Sequence, residues 1–195
     1  MSQHYKMIRT NQELLNYVSR IQNLSIVSEQ TFFPFQTVIQ QGKSLNTVYV
    51  IKSGIAKCFL TEENGNDFVE EFFGEGEIVG EIEILNNRVS VCEISAITEL
   101  FVYKISASIF IHLLDNDKIF NQLILKALSA KLHYKALRHA HNQLHDVEVN
   151  LLKLQKDFPE MFSAIPKLDI ANYLGITLRS LNRTLNDLKV RNLIK

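Results

Sequence analysis

Between Phe32 and Ile105 the chain is cut into short apolar runs rich in Val, Ile, Phe and Tyr by turn residues around Gly42, Ser53-Gly54, Asn64-Gly65, Gly74 to Gly76 and Asn86-Asn87. The turns return every eleven or twelve residues. That interval holds one strand and one turn, and it excludes the crossover helices that a parallel sheet needs. Alternation in Val48-Tyr49-Val50-Ile51 and Ala56-Lys57-Cys58-Phe59-Leu60 points the same way, to an antiparallel β-roll or jelly roll. Jelly rolls also host metal-dependent enzymes that hold iron or manganese through strand histidines, but no histidine lies between Phe32 and Ile105. No Ser or Cys nucleophile sits beside a plausible base either, so the chain does not read as an enzyme.

Helical patterns flank this region. Residues 10–24 form a short predicted helix, capped by Asn11, with Leu14, Leu15, Val18, Ile21 and Leu24 mostly on one face. Ser106 to Asp115 is a second, and Asp115-Asn116-Asp117 supplies caps for a longer one running to about His145. In that long helix Phe120, Leu123, Ala127, Ala130, Tyr134, Leu137, His141 and Leu144 fall three and four apart, which predicts a two-helix dimer seam. The second stripe, Ile124, Leu128 and Leu132, is expected to pack on the β-roll. A long helix buried within a monomer carries the same pattern.

From Asp169 to Lys189 the apolar residues Ile170, Ala171, Leu174, Ile176, Leu181 and Leu185 suit two short helices sharing a small core, interrupted by Gly175 and Thr177. Glycine can take the left-handed conformation that ends the first helix, and Thr177 can cap the second. The pattern reads as a helix-turn-helix, although a surface helical hairpin also has a polar outer face. Arg179, Ser180, Asn182, Arg183 and Asn186 are left outward, a set of donors and acceptors suited to base edges and phosphates. Formal charge is zero overall, yet residues 1–105 carry thirteen acids and eight bases, whereas residues 106–195 carry eight acids and thirteen bases. From Pro166 onward there are six Lys or Arg against two Asp, so the basic excess sits where phosphate contact needs it.

The two cysteines, Cys58 and Cys92, form no C-x-x-C and read as structural thiols rather than a redox pair. No apolar run approaches the ~18 residues of a membrane span, and the N-terminus lacks a signal core, so a cytoplasmic location without a membrane partner is expected. His141 and His145 lie one helical turn apart, but without a nearby Cys or well-placed carboxylate they are expected to be seam and hinge residues, and no metal is assigned.

In order along the chain, Phe35, Gly42, Val48-Tyr49-Val50-Ile51, Gly54, Gly65, Phe72-Phe73, Gly76 and Gly80-Glu81-Ile82, then N-Y-L-G-I-T-L-R-S-L-N-R from Asn172, resemble a Crp/Fnr-family transcription regulator. The resemblance implies an α+β protein in three parts: a cyclic-nucleotide-binding-like β-roll with flanking helices over residues 1–116, a dimerisation helix over 117–145 and a helix-turn-helix DNA-binding domain over 146–195. It implies a homodimeric regulator whose partners are double-stranded DNA, RNA polymerase and an unidentified small-molecule effector. Thr177, Arg179, Ser180, Asn182 and Arg183 are the implied DNA contacts, with Arg179 and Asn182 standing where the family has Glu and Ser. Gly80, Glu81, Ile82 and Arg88 match the family's effector loop in kind.

Several departures bear on function. The loop from Gly80 to Arg88 is shorter than in the family's nucleotide binders, and Val89 replaces a small hydroxyl residue. Residues 62–83 hold nine carboxylates and no Lys or Arg, an unfavourable field for an anion. Arg88 is expected to pair with Glu81 or Glu83, and Lys135-Ala136 or His139-Ala140 to face the position of an adenine, so cyclic nucleotide is not the expected effector. The cysteine set of the family's iron-sulfur sensors is missing. Leu188, Leu193 and Ile194 resemble the start of a winged hairpin that stops at Lys195, leaving a truncated sequence or a bare helix-turn-helix. The alternatives are a sensing or interaction module that lost DNA binding with its wing, and a cyclic-nucleotide-responsive regulator.

Overall fold

The computed structural model describes residues 6–22, 26–63 and 65–194. Among the described residues nine strands form two packed sheets: β1 (Ile8–Arg9), β2 (Ser28–Phe32), β3 (Thr37–Ile39), β4 (Thr47–Ser53), β5 (Ala56–Thr61), β6 (Asp67–Phe73), β7 (Ile78–Val79), β8 (Glu93–Ala96) and β9 (Leu100–Ser106). One sheet runs β1-β6-β5-β8-β3 and the other β2-β9-β4-β7. Eight helices accompany them: α1 (Gln12–Gln22), α2 (Glu81–Asn86), α3 (Ala107–Asn116), α4 (Lys118–Leu144), α5 (Val147–Asp157), α6 (Met161–Ala164), α7 (Lys167–Leu174) and α8 (Leu178–Val190). Leu24, Asn64 and Lys195 lie outside the described residues.

The β-roll follows from its turns. Each hairpin pairs antiparallel, as β5 does with β6 and β8, and Ile51, Phe73, Val79, Ile94, Leu100 and Val102 fill the space between the sheets. At Gly76 the backbone takes φ 80° and a Cβ would collide with the Asn11 carbonyl, so only glycine lets the N-terminal segment cross here. That crossing adds something the turn spacing did not contain: β1 pairs in parallel with β6, Ile8 opposite Phe72. The expected caps at Asn11 and Asp117 form, and Ser106, expected inside its helix, caps α3. Asn11 Oδ1 accepts from Leu14 N at 3.1 Å, Ser106 Oγ from Ile109 N at 3.3 Å, and Asp117 Oδ1 from Ile119 N and Phe120 N at 2.8 and 2.9 Å.

The long helix differs from expectation in what covers it. Phe120, Leu123, Ala127 and Tyr134, expected at a dimer seam, are buried within this chain; the first three share a core with α1, α3 and strands β4 and β9. Of the remaining seam candidates, Leu137 and His141 are half-buried, while Ala130 and Leu144 are exposed. Leu132, expected on the roll, is 72% exposed, although Ile124 is buried beside Leu128. A 3.6-residue period marks an apolar face without saying whose surface covers it. Here the roll and its flanking helices cover the stripe, and the face left to solvent carries Leu125, Ser129, Leu132 and Ala136.

The C-terminal helices build a compact unit around Leu151, Leu154, Ile170, Ala171, Leu181, Leu185 and Leu188, and this cluster continues into the roll through Phe59, Val69 and Phe72. Leu188, expected at the start of a wing, is fully buried in α8, which runs on to Val190. No strand follows α8 among the described residues; the chain turns at Asn192, with φ 56°, and Ile194 packs back on the cluster.

The crossing of β1 over the roll is held by a buried ion network. Arg9 donates to Glu71 Oε2 at 3.1 Å and to both Glu77 oxygens at 3.1 and 2.9 Å, and its guanidinium lies 5.4 Å from the Tyr134 ring centre. Burial pushes the Glu77 carboxyl up, with Arg9 and Lys131 opposing. Removing one partner from such a site strands charge in a dry interior. Arg9→Met is therefore expected to cost about 3–5 kcal/mol in urea unfolding; a loss within the ~1 kcal/mol of an exposed pair would mean that water replaces the guanidinium.

Candidate nucleic-acid interface and effector site

α7 and α8 form the helix-turn-helix, and local chemistry sets the turn. Gly175 closes α7 in the left-handed region, φ 69°, and the Ile176 N–H reaches back to the Ala171 carbonyl at 3.0 Å. Nothing lies within 4 Å of a Cβ built at Gly175, so its requirement is purely conformational. Thr177 then opens α8: its Oγ1 accepts from Ser180 N at 3.1 Å. Ala171, fully buried, lets Leu181 and Leu185 close against the first helix.

That packing fixes which face of α8 is outward. Arg179, Asn182, Arg183 and Asn186 are all exposed, at i, i+3, i+4 and i+7, and with Thr177, Ser180 and Asp187 they line one open groove. Ser180 is half-buried, and its carbonyl accepts from Thr184 Oγ1 at 3.1 Å. Thr177 uses its oxygen as the cap acceptor, which leaves its O–H free to donate. The basic residues at the margin are only partly committed: Arg191 pairs with Glu148 at 2.8 Å, while Lys167 and Lys189 are exposed.

Of the four effector-loop candidates, Glu81 is engaged by the chain itself. Gly80, at φ 90°, leads into α2, and Glu81 is 1% exposed. Its Oε1 accepts from Lys131 Nζ of α4 at 2.5 Å; the same ammonium donates to the Ile78 carbonyl at 2.6 Å and lies 5.2 Å from the Phe73 ring centre. The expected partner was Arg88, and this is a correction. Arg88 is exposed with no ion pair among the described residues, and Glu83 instead accepts from Ser90 Oγ at 2.9 Å. The shortened loop after α2 carries Arg88 outward, so the carboxylate takes a cation from the helix instead. Ile82, the fourth loop candidate, is 43% exposed.

On α4 it is Lys131 that faces Glu81; Lys135-Ala136 and His139-Ala140, expected at the position of an adenine, lie one and two turns further on. Lys135 reaches Glu70 and Glu71 at 3.0 and 3.1 Å, at the rim. The one sequence signal for Lys131 was its position between Ala127 and Tyr134 in an otherwise apolar stripe.

The remaining polar candidates have structural partners. His141 Nδ1 lies 2.6 Å from Asn150 Oδ1, and the His141 and His145 rings are 4.3 Å apart where α4 hands over to α5. Burial holds the His141 imidazolium below its ordinary range, with the Asn150 bond opposing. No group of three or more His, Cys, Asp or Glu among the described residues is placed to hold a metal ion. Cys58 and Cys92 are free thiols; a hydrogen bond between them, then burial, pushes Cys58 up, and the same bond pulls Cys92 down.

The family model of the cyclic nucleotide-binding domain matches residues 29–117, from β2 to the cap of α4. Two curated relatives match most of the chain: the anaerobic regulatory protein of Haemophilus influenzae, 24% identical over 161 residues, and the regulatory protein HlyX of Actinobacillus pleuropneumoniae, 26% identical over 167. Each match takes in 77% of this chain, which spans 62% of the first relative's length and 67% of the second's. Among solved structures, a protein of Eubacterium rectale assigned to the Crp/Fnr regulators superposes with a TM-score of 0.76 at 14% identity, covering 93% of this chain and 88% of that one. With a roll that matches the cyclic nucleotide-binding domain, a long helix and a helix-turn-helix following one another in this order, the chain is similar in sequence to these two regulators and in fold to the Crp/Fnr regulators.

Proposed function

We propose that this chain is a sequence-specific DNA-binding transcription regulator that acts as a homodimer, placing one α8 per half-site in successive turns of the major groove. The observation that carries the reading is the outward face of α8, where Arg179, Asn182, Arg183 and Asn186 project from a helix whose opposite side is closed by Leu181, Leu185 and Leu188. Arg183 and Arg179 have the reach and the forked donors to read guanine O6 and N7; Asn182 reads an adenine or a phosphate. Ser180 and the free O–H of Thr177 meet phosphates. The roll, the long helix and residues 146–195 divide the work into sensing, dimerisation and DNA reading. The reading implies a non-enzymatic cytoplasmic protein whose other partner is RNA polymerase; no described helix is long and apolar enough to cross a membrane.

Duplexes selected from a random pool by the full chain give the direct test. Arg183→Ala is expected to cost about 1–3 kcal/mol on the selected duplex and little on random DNA. If Arg179→Ala and Arg183→Ala both leave the specific-to-random ratio unchanged, α8 is not the reader. Equal binding to both pools, or none, would leave the interaction-module reading instead.

The dimer reading rests on the face of α4 that the roll leaves uncovered. Leu125, Ser129, Leu132 and Ala136 are exposed at intervals of four, three and four, the repeat of a two-helix seam. Leu132→Glu is expected to convert a dimer to monomer in sedimentation at micromolar concentration, whereas a wild-type chain that sediments only as monomer would refute the seam.

Effector control is part of the proposal, with an effector other than a cyclic nucleotide. Glu81, the family's ribose-binding carboxylate, is engaged by Lys131, and Arg88, its phosphate partner, points to solvent. Cyclic AMP is expected to leave the melting temperature unchanged. A ligand at 100 times its dissociation constant adds about 2.7 kcal/mol, so an upward shift of several degrees would overturn this reading.

A further inference from the structure

We infer that His139 makes the proposed dimer a pH switch: with a neutral imidazole in the seam the two α4 helices close on each other, and with the ring protonated they part. The inference rests on the dimer reading and adds a control that neither the apolar seam residues nor the α8 face contains. The exposed row on α4 does not end at Ala136. His139 and Gln143 follow it at three and four residues, both exposed, so Leu125, Ser129, Leu132, Ala136, His139 and Gln143 keep one repeat of four, three, four, three and four. Two α8 helices that enter one duplex from the same side hang from the same ends of their α4 helices. The two α4 helices therefore run parallel, and each seam position meets its own copy. His139 then faces the same residue of a second copy of this chain, in a layer between Ala136 and Gln143.

The composition of α4 leaves a charge in that layer without a counter-ion. From Lys118 to Leu144 the helix has five Lys or Arg, three His and no Asp or Glu. A second α4 thus brings only cations and neutral groups to the seam. Within the chain, His139 lines a groove of about 480 Å³ with Phe68 and Glu70 of β6 and with Lys135, Arg138, Asn142 and Gln143 of α4. The carboxylates near it are already engaged: Glu70 accepts from Lys135 at 3.0 Å, and Glu71, behind it, is shared by Lys135 and Arg9 at 3.1 Å each. Arg138 adds a further buried cation, its terminal nitrogens on the carbonyls of Glu70, Val69 and Tyr173 at 2.6, 3.2 and 2.6 Å. Imidazole ordinarily gains its proton near pH ~6.5. Protonating both copies sets two like charges in one layer, which costs more across a closed interface than between separated chains in water. The dimer therefore binds fewer protons than two monomers, so association is strongest above the imidazole range and weakens as pH falls through it.

Sedimentation equilibrium of the full chain at about pH 8 and about pH 5.5, at one ionic strength, reads the dimer dissociation constant for wild type, His139→Met and His139→Lys. Wild type is expected to dimerise roughly thirtyfold more weakly at the lower pH, about fivefold for each of the two imidazoles. His139→Met, as long as lysine but uncharged, is expected to hold the dimer equally at both. His139→Lys carries its charge at pH ~8 and is expected to be monomeric there, which tests the switch without acid. Hydrogen-exchange protection of β4 and β9 separates a parted dimer from a failed fold. If acid alone removes that protection, the comparison of the three chains at the higher pH decides. An unchanged wild-type constant in a folded chain, the same pH dependence in His139→Met, or a dimeric His139→Lys overturns the switch and leaves the dimer reading intact. Monomers only, for wild type and His139→Met at micromolar concentration and the higher pH, remove the dimer reading and the switch with it.

Discussion

Two buried cations on one side of α4, Lys131 and Arg138, set the positions of everything the helix touches. Each is 6% exposed, and each finds oxygens only on the roll or on α7. Burying an unpaired ion costs several kcal/mol, so a shift of α4 by one residue along the roll would forfeit more than the helix gains by keeping its apolar contacts. The stripe from Phe120 to Ala127 supplies buried area, which is nearly indifferent to small slides. The cations supply register. Lys131 fixes α4 against the turn into α2, and Arg138, two turns on, fixes it against β6 and Tyr173.

Lys131 also meets, from within the chain, the requirement of a carboxylate that the roll buries: Glu81 Oε1 accepts from its ammonium, while Glu81 Oε2 has no hydrogen-bond partner. Four of the nine carboxylates of residues 62–83 are paired with cations, Arg9, Lys131 and Lys135 taking Glu71, Glu77, Glu81 and Glu70.

Helix α8 stands apart from this network. Its orientation comes from the aliphatic contacts of Leu181, Leu185 and Leu188 with α5 and α7, and no side chain on its outer face bonds to the roll among the described residues. Overall neutrality hides this division, because the acids collect on the roll and the bases on the later helices.

Local chemistry was legible in the sequence. The turn glycines, the caps at Asn11, Asp117 and Thr177, and the left-handed stop at Gly175 depend on a few neighbouring residues, so the roll, the long helix and the helix-turn-helix could be placed from them. So could the outward set on α8, since a short helix with three buried leucines has only one other side. What tertiary structure alone decided concerns partners distant in the chain. The periodicity of α4 announced an apolar face, but only the packed roll determined that the chain covers it itself and leaves Leu125 and Leu132 outward. Lys131 reads as a surface residue until Glu81, fifty positions earlier, is brought beneath it. Tyr173 reads as one more helix aromatic until Arg138 and β6 close over it. Propensity and capping act over a turn or two, whereas a buried charge is settled by whichever oxygen the whole fold delivers to it.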